Sequence, residues 1–317
     1  MDSHPPPSQP ATSWSPRLPV WALSRGCYIS DTDAAFAAGI ALKSLDDLIC
    51  ANPPWLGCWR DRLALKSAAV AARMSGRTEE ESALRDAVLL TAPGDDPGPA
   101  GKLFLATRLL ARRSGTITAP FVKELAALLG MSWHDSLAPI AEITESANQS
   151  GRAAPFAVAD LVTAIFAVRP DAEVLALGLT DVALANRLKW PRPVPLLLGE
   201  RYGPAFRTIG GRGRVGPGEP AYAKAICLAL VDGVAAALRS AVDIDRRAAR
   251  LLTVAPKLRT KGSEPVIIKL LDEDAVPASA PGSSLSRWAA TRLFERLESF
   301  EAVRELSGRS AFRMFGL

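Results

Sequence analysis

Few side chains in this 317-residue sequence could carry acid–base or metal chemistry. There are two histidines, His4 and His134, and four cysteines, Cys27, Cys50, Cys58 and Cys227. Zinc sites use close cysteine pairs completed by a second pair or by histidines. Cys50 and Cys58 are separated by seven residues across Pro53 and Pro54, and His134 is the one further ligand on offer. The spacing argues against a metal centre. Ser132, His134 and Asp135 supply the side-chain types of a hydrolase triad. No Gly-x-Ser-x-Gly turn presents a nucleophile, however, and Ser132 with Asp135 suits a helix capping box that puts His134 in a first turn. The stretch Asp96-Pro97-Gly98-Pro99-Ala100-Gly101-Lys102-Leu103 has the outline of a phosphate loop. Asp96 stands where that pattern needs glycine, and Leu103 where it needs Ser or Thr. A carboxylate there repels phosphate, and two prolines remove amide donors. Asp95 and Asp96 could offer oxygen ligands to a hard cation, but no third ligand stands at a regular spacing. Like Asp46 and Asp47 they read as solvated carboxylates, with Asp95 or Asp96 acting on the start of the next helix. No catalytic residue, cofactor site or metal ligand is assigned on this basis.

The chemistry the sequence favours is electrostatic. Residues 1–200 hold 19 Lys/Arg and 21 Asp/Glu, a net of −2, whereas residues 201–317 hold 19 and 12, a net of +7. A basic end of this kind is expected of a nucleic-acid-binding protein. Within it, Ser286, Arg287 and Thr291 fall at the exposed start of a helix, together with Phe294 further along. Arg304, Arg309 and Arg313 fall on a following hairpin with Arg309 at its tip. These six polar residues are the candidate DNA contacts, able to donate to phosphates and base edges. The opposite stripe, Leu285, Trp288, Ala289, Arg292, Leu293, Arg296 and Leu297, is expected to face the core. Glu295, Glu298, Glu301 and Glu305 weaken the local field, leaving 13 basic and 10 acidic residues over 241–317. Arg212-Gly213-Arg214 could touch a phosphate backbone or lie in a flexible linker. Trp55, Trp59 and Trp190 read as core pins rather than base-stacking platforms.

A mainly α chain must position these groups. Apolar residues make up 48% of it and aromatics 6%, so the core is built chiefly from Ala, Leu and Val. Ser30 and Asp31 cap a helix to about Cys50, Pro53 and Pro54 start another to about Met74, and Thr78 with Glu81 forms a capping box ahead of a third. Further helices are expected near 100–113, 119–129, 135–148, 155–168 and 171–188, and along an alanine-rich stretch, 220–258, that Asp232-Gly233 and Asp243-Ile244-Asp245 could divide. The expected organisation is a disordered proline-rich tail over 1–22, a helical domain over 23–202 and a Gly/Arg-rich linker or loop over 203–218. A helical segment with a winged-helix-like module (about 243–317) completes the chain. In that module a helix from 263 to 271 closes with the loop Asp272–Pro277. A stronger helix then runs through Ser299, followed by a hairpin of residues 302–306 and 311–315. Helix, helix, helix, hairpin is the order of a winged helix, whose third helix enters the major groove.

The tail LSRWAATRLFERLESFEAVRELSGRSAFRMFGL, the run APKLRTKGSEPVI, the segment RLKWPRPVPLLL and the loop GDDPGPAGK resemble a bacterial protein family, the domain of unknown function numbered 1403. The resemblance runs over nearly the whole chain after the proline-rich tail, and it implies no catalytic residue because the family has no established activity. The ending RELSGRSAFRMFGL is also similar to winged-helix tails that follow Fic domains. A Fic core needs His-Pro-Phe before a Gly-rich loop, and neither histidine is followed by Pro-Phe, so AMP transfer is not implied.

The resulting expectation is a cytoplasmic protein that binds double-stranded DNA through a C-terminal winged helix, its N-terminal helices dimerising or sensing. The first alternative is a scaffold that binds itself or another protein. The second is an enzyme of unknown type with a site near Asp95 and Asp96. No membrane association is expected: no unbroken apolar run reaches about 18 residues, Asp232 interrupts Ile226–Leu238, and the N-terminus lacks a basic segment leading into an apolar one. Reducing cytoplasm would keep the cysteines as thiols.

Overall fold

The helices begin and end largely where short-range chemistry directs. The computed structural model describes residues 14–23, 29–92, 94–208, 213–258, 262–279, 285–307 and 312–317. Helix α1 (Asp31–Ala51) starts at Ser30, whose side chain accepts the Asp33 N–H while the Asp33 carboxylate accepts the Ser30 N–H. It ends at Asn52 in the left-handed region, φ 45°. Then come α2 (Leu56–Met74), α3 (Glu81–Leu89), α4 (Gly98–Arg112), α5 (Ala119–Leu128), α6 (Ile140–Gln149), α7 (Ala154–Val168) and α8 (Glu173–Leu188). Proline occupies the first turn of α4, α5 and α7, where its missing N–H costs no helical bond.

Two expected caps do not form. Glu80, not Thr78, precedes α3, and its side chain makes no cap bond. His134 itself caps a single 3-10 turn, Asp135–Leu137, its Nδ1 accepting the Ser136 N–H at 3.1 Å. Asp96 does act at a helix start: its carboxylate accepts the Gly98 N–H at 2.8 Å and the Lys102 ammonium at 2.6 Å.

Helix α9 (Tyr222–Val254) is the axis of the fold and runs 33 residues without a break at Asp232-Gly233 or Asp243-Ile244-Asp245. It packs against α1, α7 and α2. Trp59 Nε1 donates to the Ala237 carbonyl at 2.9 Å, and Trp55 Nε1 to Asp245 at 2.8 Å. These indoles and Trp190 are buried, as their reading as core pins requires. By length and composition Tyr222–Lys257 could cross a membrane, but 56% of its most apolar stretch is buried inside the protein. That burial is the apolar face of an amphipathic core helix, whose Arg239, Asp243, Arg246 and Arg250 are exposed.

The core runs continuously from Trp14 to Leu317. Trp14, Leu18 and Ala22 are buried, and Trp14 meets Trp55 edge-on at 6.2 Å. Residues 14–22 thus belong to the fold, correcting the disordered tail expected there; residues 1–13 lie outside the described part. Over residues 203–208 and 213–218 the chain is packed rather than loose. Phe206 and Val215 are buried, the Val215 N–H donates to the Phe206 carbonyl at 2.8 Å, and Arg207 pairs with Arg214 in a β-bridge. Arg212 lies outside the described residues.

Candidate nucleic-acid interface

The basic end of the chain forms α10 (Ser263–Asp272), β1 (Val276–Pro277), α11 (Arg287–Ser299), β2 (Arg304–Glu305) and β3 (Met314–Gly316). The strands make one antiparallel sheet in the order β1-β3-β2, with Val276 and Glu305 both opposite Phe315. The loop expected only to close α10 therefore supplies a third strand. It interrupts the expected helix–helix–helix–hairpin order, and one described helix, α11, separates β1 from β2.

Asp274, two residues before β1, anchors this sheet to the helical body. Its side chain is 3% exposed and accepts Arg62 Nε and Arg85 Nε at 2.7 Å each. Burial works to raise the Asp274 carboxyl, and the two guanidiniums overcome it, holding it below the usual carboxylate range. Arg62 also donates to the Leu317 carbonyl at 2.7 Å. A Cβ on Gly316 would collide with the Asp274 carbonyl oxygen, so only glycine allows β3 this close. A parallel arrangement joins α2 to α4, where Asp61 accepts Arg108 at 2.8 Å and Arg112 at 3.2 Å. There burial prevails over the two arginines, and the Asp61 carboxyl is raised.

Helix α11 packs on the sheet through Ala290, Leu293, Phe294 and Leu297. Phe294 stacks on Phe315 at 4.6 Å with 8° between the ring planes. This contact corrects the expected orientation. Phe294 turns inward to the one flat apolar partner the sheet offers, and Trp288, Arg292 and Arg296 turn outward. They recur every fourth residue along the solvent side, with Trp288 79% exposed. The helix closes with a Schellman arrangement: the Ala302 N–H reaches the Leu297 carbonyl at 3.0 Å, and Glu301 takes φ 52°. Glu301 pairs with Arg250 of α9.

The candidate contacts divide. Ser286 is the N-cap of α11, accepting the Ala289 N–H at 3.3 Å. Thr291 Oγ1 donates back to the Arg287 carbonyl at 3.0 Å. Both hydroxyls thus serve the helix, while the Arg287 side chain is exposed beside them. Arg304 lies on β2 with its guanidinium partly shielded, and that shielding, then the charges of Arg62 and Arg247, lower it below the ordinary range. Arg313 is occupied by Glu305 at 2.8 Å, Glu298 at 3.0 Å and Glu295 at 3.9 Å, and lies over the Phe315 ring. Arg309 falls outside the described residues. The structure therefore groups Ser286, Arg287 and Thr291 at the start of α11, sets Arg304 among the like charges of Arg62 and Arg247, and neutralises Arg313.

Sequence reasoning put Arg292 and Arg296 on the core-facing stripe, where the structure leaves them exposed, and did not single out Arg247. The fourfold spacing of Trp288, Arg292 and Arg296 was a usable signal, but long amphipathic side chains fit either face of a helix. Among the described residues no group of three or more His, Cys, Asp or Glu side chains could hold a metal. Cys58 and Cys227 are buried, and burial pushes their thiols up to about 12 and about 11. Such thiols behave as small apolar groups.

Compared with known proteins, the chain matches no curated protein. The family model described as protein of unknown function DUF1403 matches residues 8–317. The match takes in the helical body, the sheet and α11 alike, and the chain belongs to that family.

Proposed function

We propose that this protein binds double-stranded DNA with its C-terminal module, used as a winged helix with α11 as the groove helix. The observation that carries the reading is the outward line of Trp288, Arg292 and Arg296. Neither arginine has a carboxylate within 4.0 Å among the described residues, so both are free to donate. The antiparallel β1-β3-β2 sheet behind α11 supports it, because a rigid backing lets a helix present a fixed set of side chains to a groove. Arg287 flanks this line at the helix start. Arg304 and its neighbour Arg247 are the expected phosphate contacts. Arg313, held by three glutamates, acts through stability instead. Such a protein works where the DNA is, in the cytoplasm.

Fluorescence anisotropy with labelled duplexes at two salt concentrations tests this. Arg292→Ala and Arg296→Ala should each cost about 1–3 kcal/mol if they read bases. Arg304→Ala and Arg247→Ala should weaken binding to all sequences and lower the salt slope by about 1 each. Absence of salt-sensitive affinity for any duplex would refute the reading. The interaction-scaffold reading then takes its place, resting on the exposure of Trp288, Ile268 (59%) and Phe312 (51%).

A further inference from the structure

A second cationic cluster stands at the C-terminal end of α2 and uses none of the residues of α11. Its centre is Tyr202. The Arg73 guanidinium lies 4.3 Å from the ring centroid and the Arg214 guanidinium 4.8 Å from it. Arg207 joins them through its bridge with Arg214. The loop that holds them is tightly built. A Cβ on Gly203 would lie 2.9 Å from the Glu200 carbonyl oxygen, and Arg214 Nη1 donates to the Gly203 carbonyl at 3.3 Å. The Thr208 N–H closes the base of the loop on the Gly213 carbonyl at 3.0 Å.

Like Arg292 and Arg296 of α11, this cluster lacks counter-charge. Arginines in this fold are generally paired where they crowd: Arg62 and Arg85 share Asp274, Arg108 and Arg112 share Asp61, and nearby Arg201 holds Glu173 at 2.6 Å. Among the described residues, Arg73, Arg207 and Arg214 have no carboxylate oxygen within 4.0 Å. Burial and then the like charges of Arg201, Arg207 and Arg73 lower the Arg214 guanidinium below its ordinary range. Arg73 and Arg207 are exposed, and Arg73 with Tyr202 lines a cavity of about 820 Å³. Glu79, Glu80 and Glu81 line the same cavity, with Glu79 bound by Arg77.

We infer that Arg73, Arg207 and Arg214 form a binding site for a phosphate-bearing anion at the Tyr202 loop. Three cations without a carboxylate partner leave positive charge for an anion to meet, and guanidinium forks match the oxygens of phosphate. Tyr202 holds guanidiniums against its ring, so it organises the cations rather than stacking a base. The phosphates could come from a nucleic-acid backbone or from a free polyphosphate, and the site does not depend on the DNA reading of α11.

The test uses the full chain and two double variants, Arg73→Gln/Arg207→Gln and Arg292→Gln/Arg296→Gln. Inorganic tripolyphosphate is titrated by calorimetry and by thermal shift, against potassium chloride at equal ionic strength. The wild type should bind tripolyphosphate saturably, the first variant at least tenfold more weakly with its unliganded melting midpoint retained, and the second variant like the wild type. A duplex arm identifies the source: the Arg73→Gln/Arg207→Gln variant loses duplex affinity if backbone phosphate is the ligand and keeps it if a free polyphosphate is. Tripolyphosphate binding without any duplex binding would sustain this site while removing the DNA reading. No tripolyphosphate binding by the wild type, or equal binding by the Arg73→Gln/Arg207→Gln variant, would overturn the inference.

Discussion

Asp274→Asn should be among the most damaging single changes in this protein. The substitution keeps the shape of the side chain but removes its charge and turns one acceptor into a donor. Arg62 and Arg85, with side chains 15% and 10% exposed, would then face a neutral amide. Breaking a buried ion pair by removing one partner costs about 3–5 kcal/mol, because the remaining charge stays buried and uncompensated. Unfolding entropy of about 2.1 cal/mol/K per residue over a chain of this length converts that to a midpoint about 4–8 °C lower. Asp272→Asn is the internal control. Its carboxylate is 46% exposed and meets Arg112 at 3.1 Å, so its loss should cost about 0–1 kcal/mol. Urea denaturation at neutral pH measures both. An acid titration adds a second readout. A carboxyl held below its usual range contributes stability that is complete above its unfolded pKa of about 4 and is lost as pH falls through the lower folded value. Asp274→Asn should therefore flatten the acid limb of the stability curve. A cost below about 1 kcal/mol, or one no larger than that of Asp272→Asn, would show that this clasp does not hold the C-terminal sheet to α2 and α3.

Two further outcomes follow from buried groups. A chain starting at Leu23 loses Trp14, Leu18 and Ala22 from the core, and loss of a buried tryptophan alone costs about 3–5 kcal/mol; its midpoint should drop by several degrees, and an unchanged midpoint would contradict the packing of Trp14 on Trp55. Burial raises the Asp181 carboxyl well above its usual range, against the opposing N–H bonds of Leu196 and Leu197. Its contribution is thus present at low pH and lost as pH rises from the unfolded pKa through the folded one. Asp181→Asn keeps an acceptor for the Leu196 N–H at no charge cost, so it should match or exceed the wild type at pH 8 and show less loss of stability between pH 5 and pH 8. An equal destabilisation at every pH would refute this.

The sequence determined what neighbours along the chain can decide. Ser30 caps α1 because its partner, Asp33, is three residues away. Asp96 meets the Gly98 N–H two residues on. Proline stands in the first turn of α4, α5 and α7, since the missing N–H and fixed φ are properties of the residue itself. The same locality made the helical class legible, together with the position of the helix carrying Arg287. Only the tertiary structure decided which side of that helix meets solvent. Leu293 and Leu297 point inward under either reading, but Phe294 joined them because Phe315, from a distant strand, lies ready to stack. Strand β1 is two residues long and exists through pairing with β3, so it has no periodicity of its own to read. Asp61 and Arg62 are adjacent in sequence, yet each finds its partners elsewhere, on α4 for one and at Asp274 and the Leu317 carbonyl for the other. Arg304 was legible as a cation but not as a neighbour of Arg247, and Arg313 was legible as basic but not as neutralised. Charge acts through space. A linear sequence records which charges exist, and folding alone determines which of them remain uncompensated.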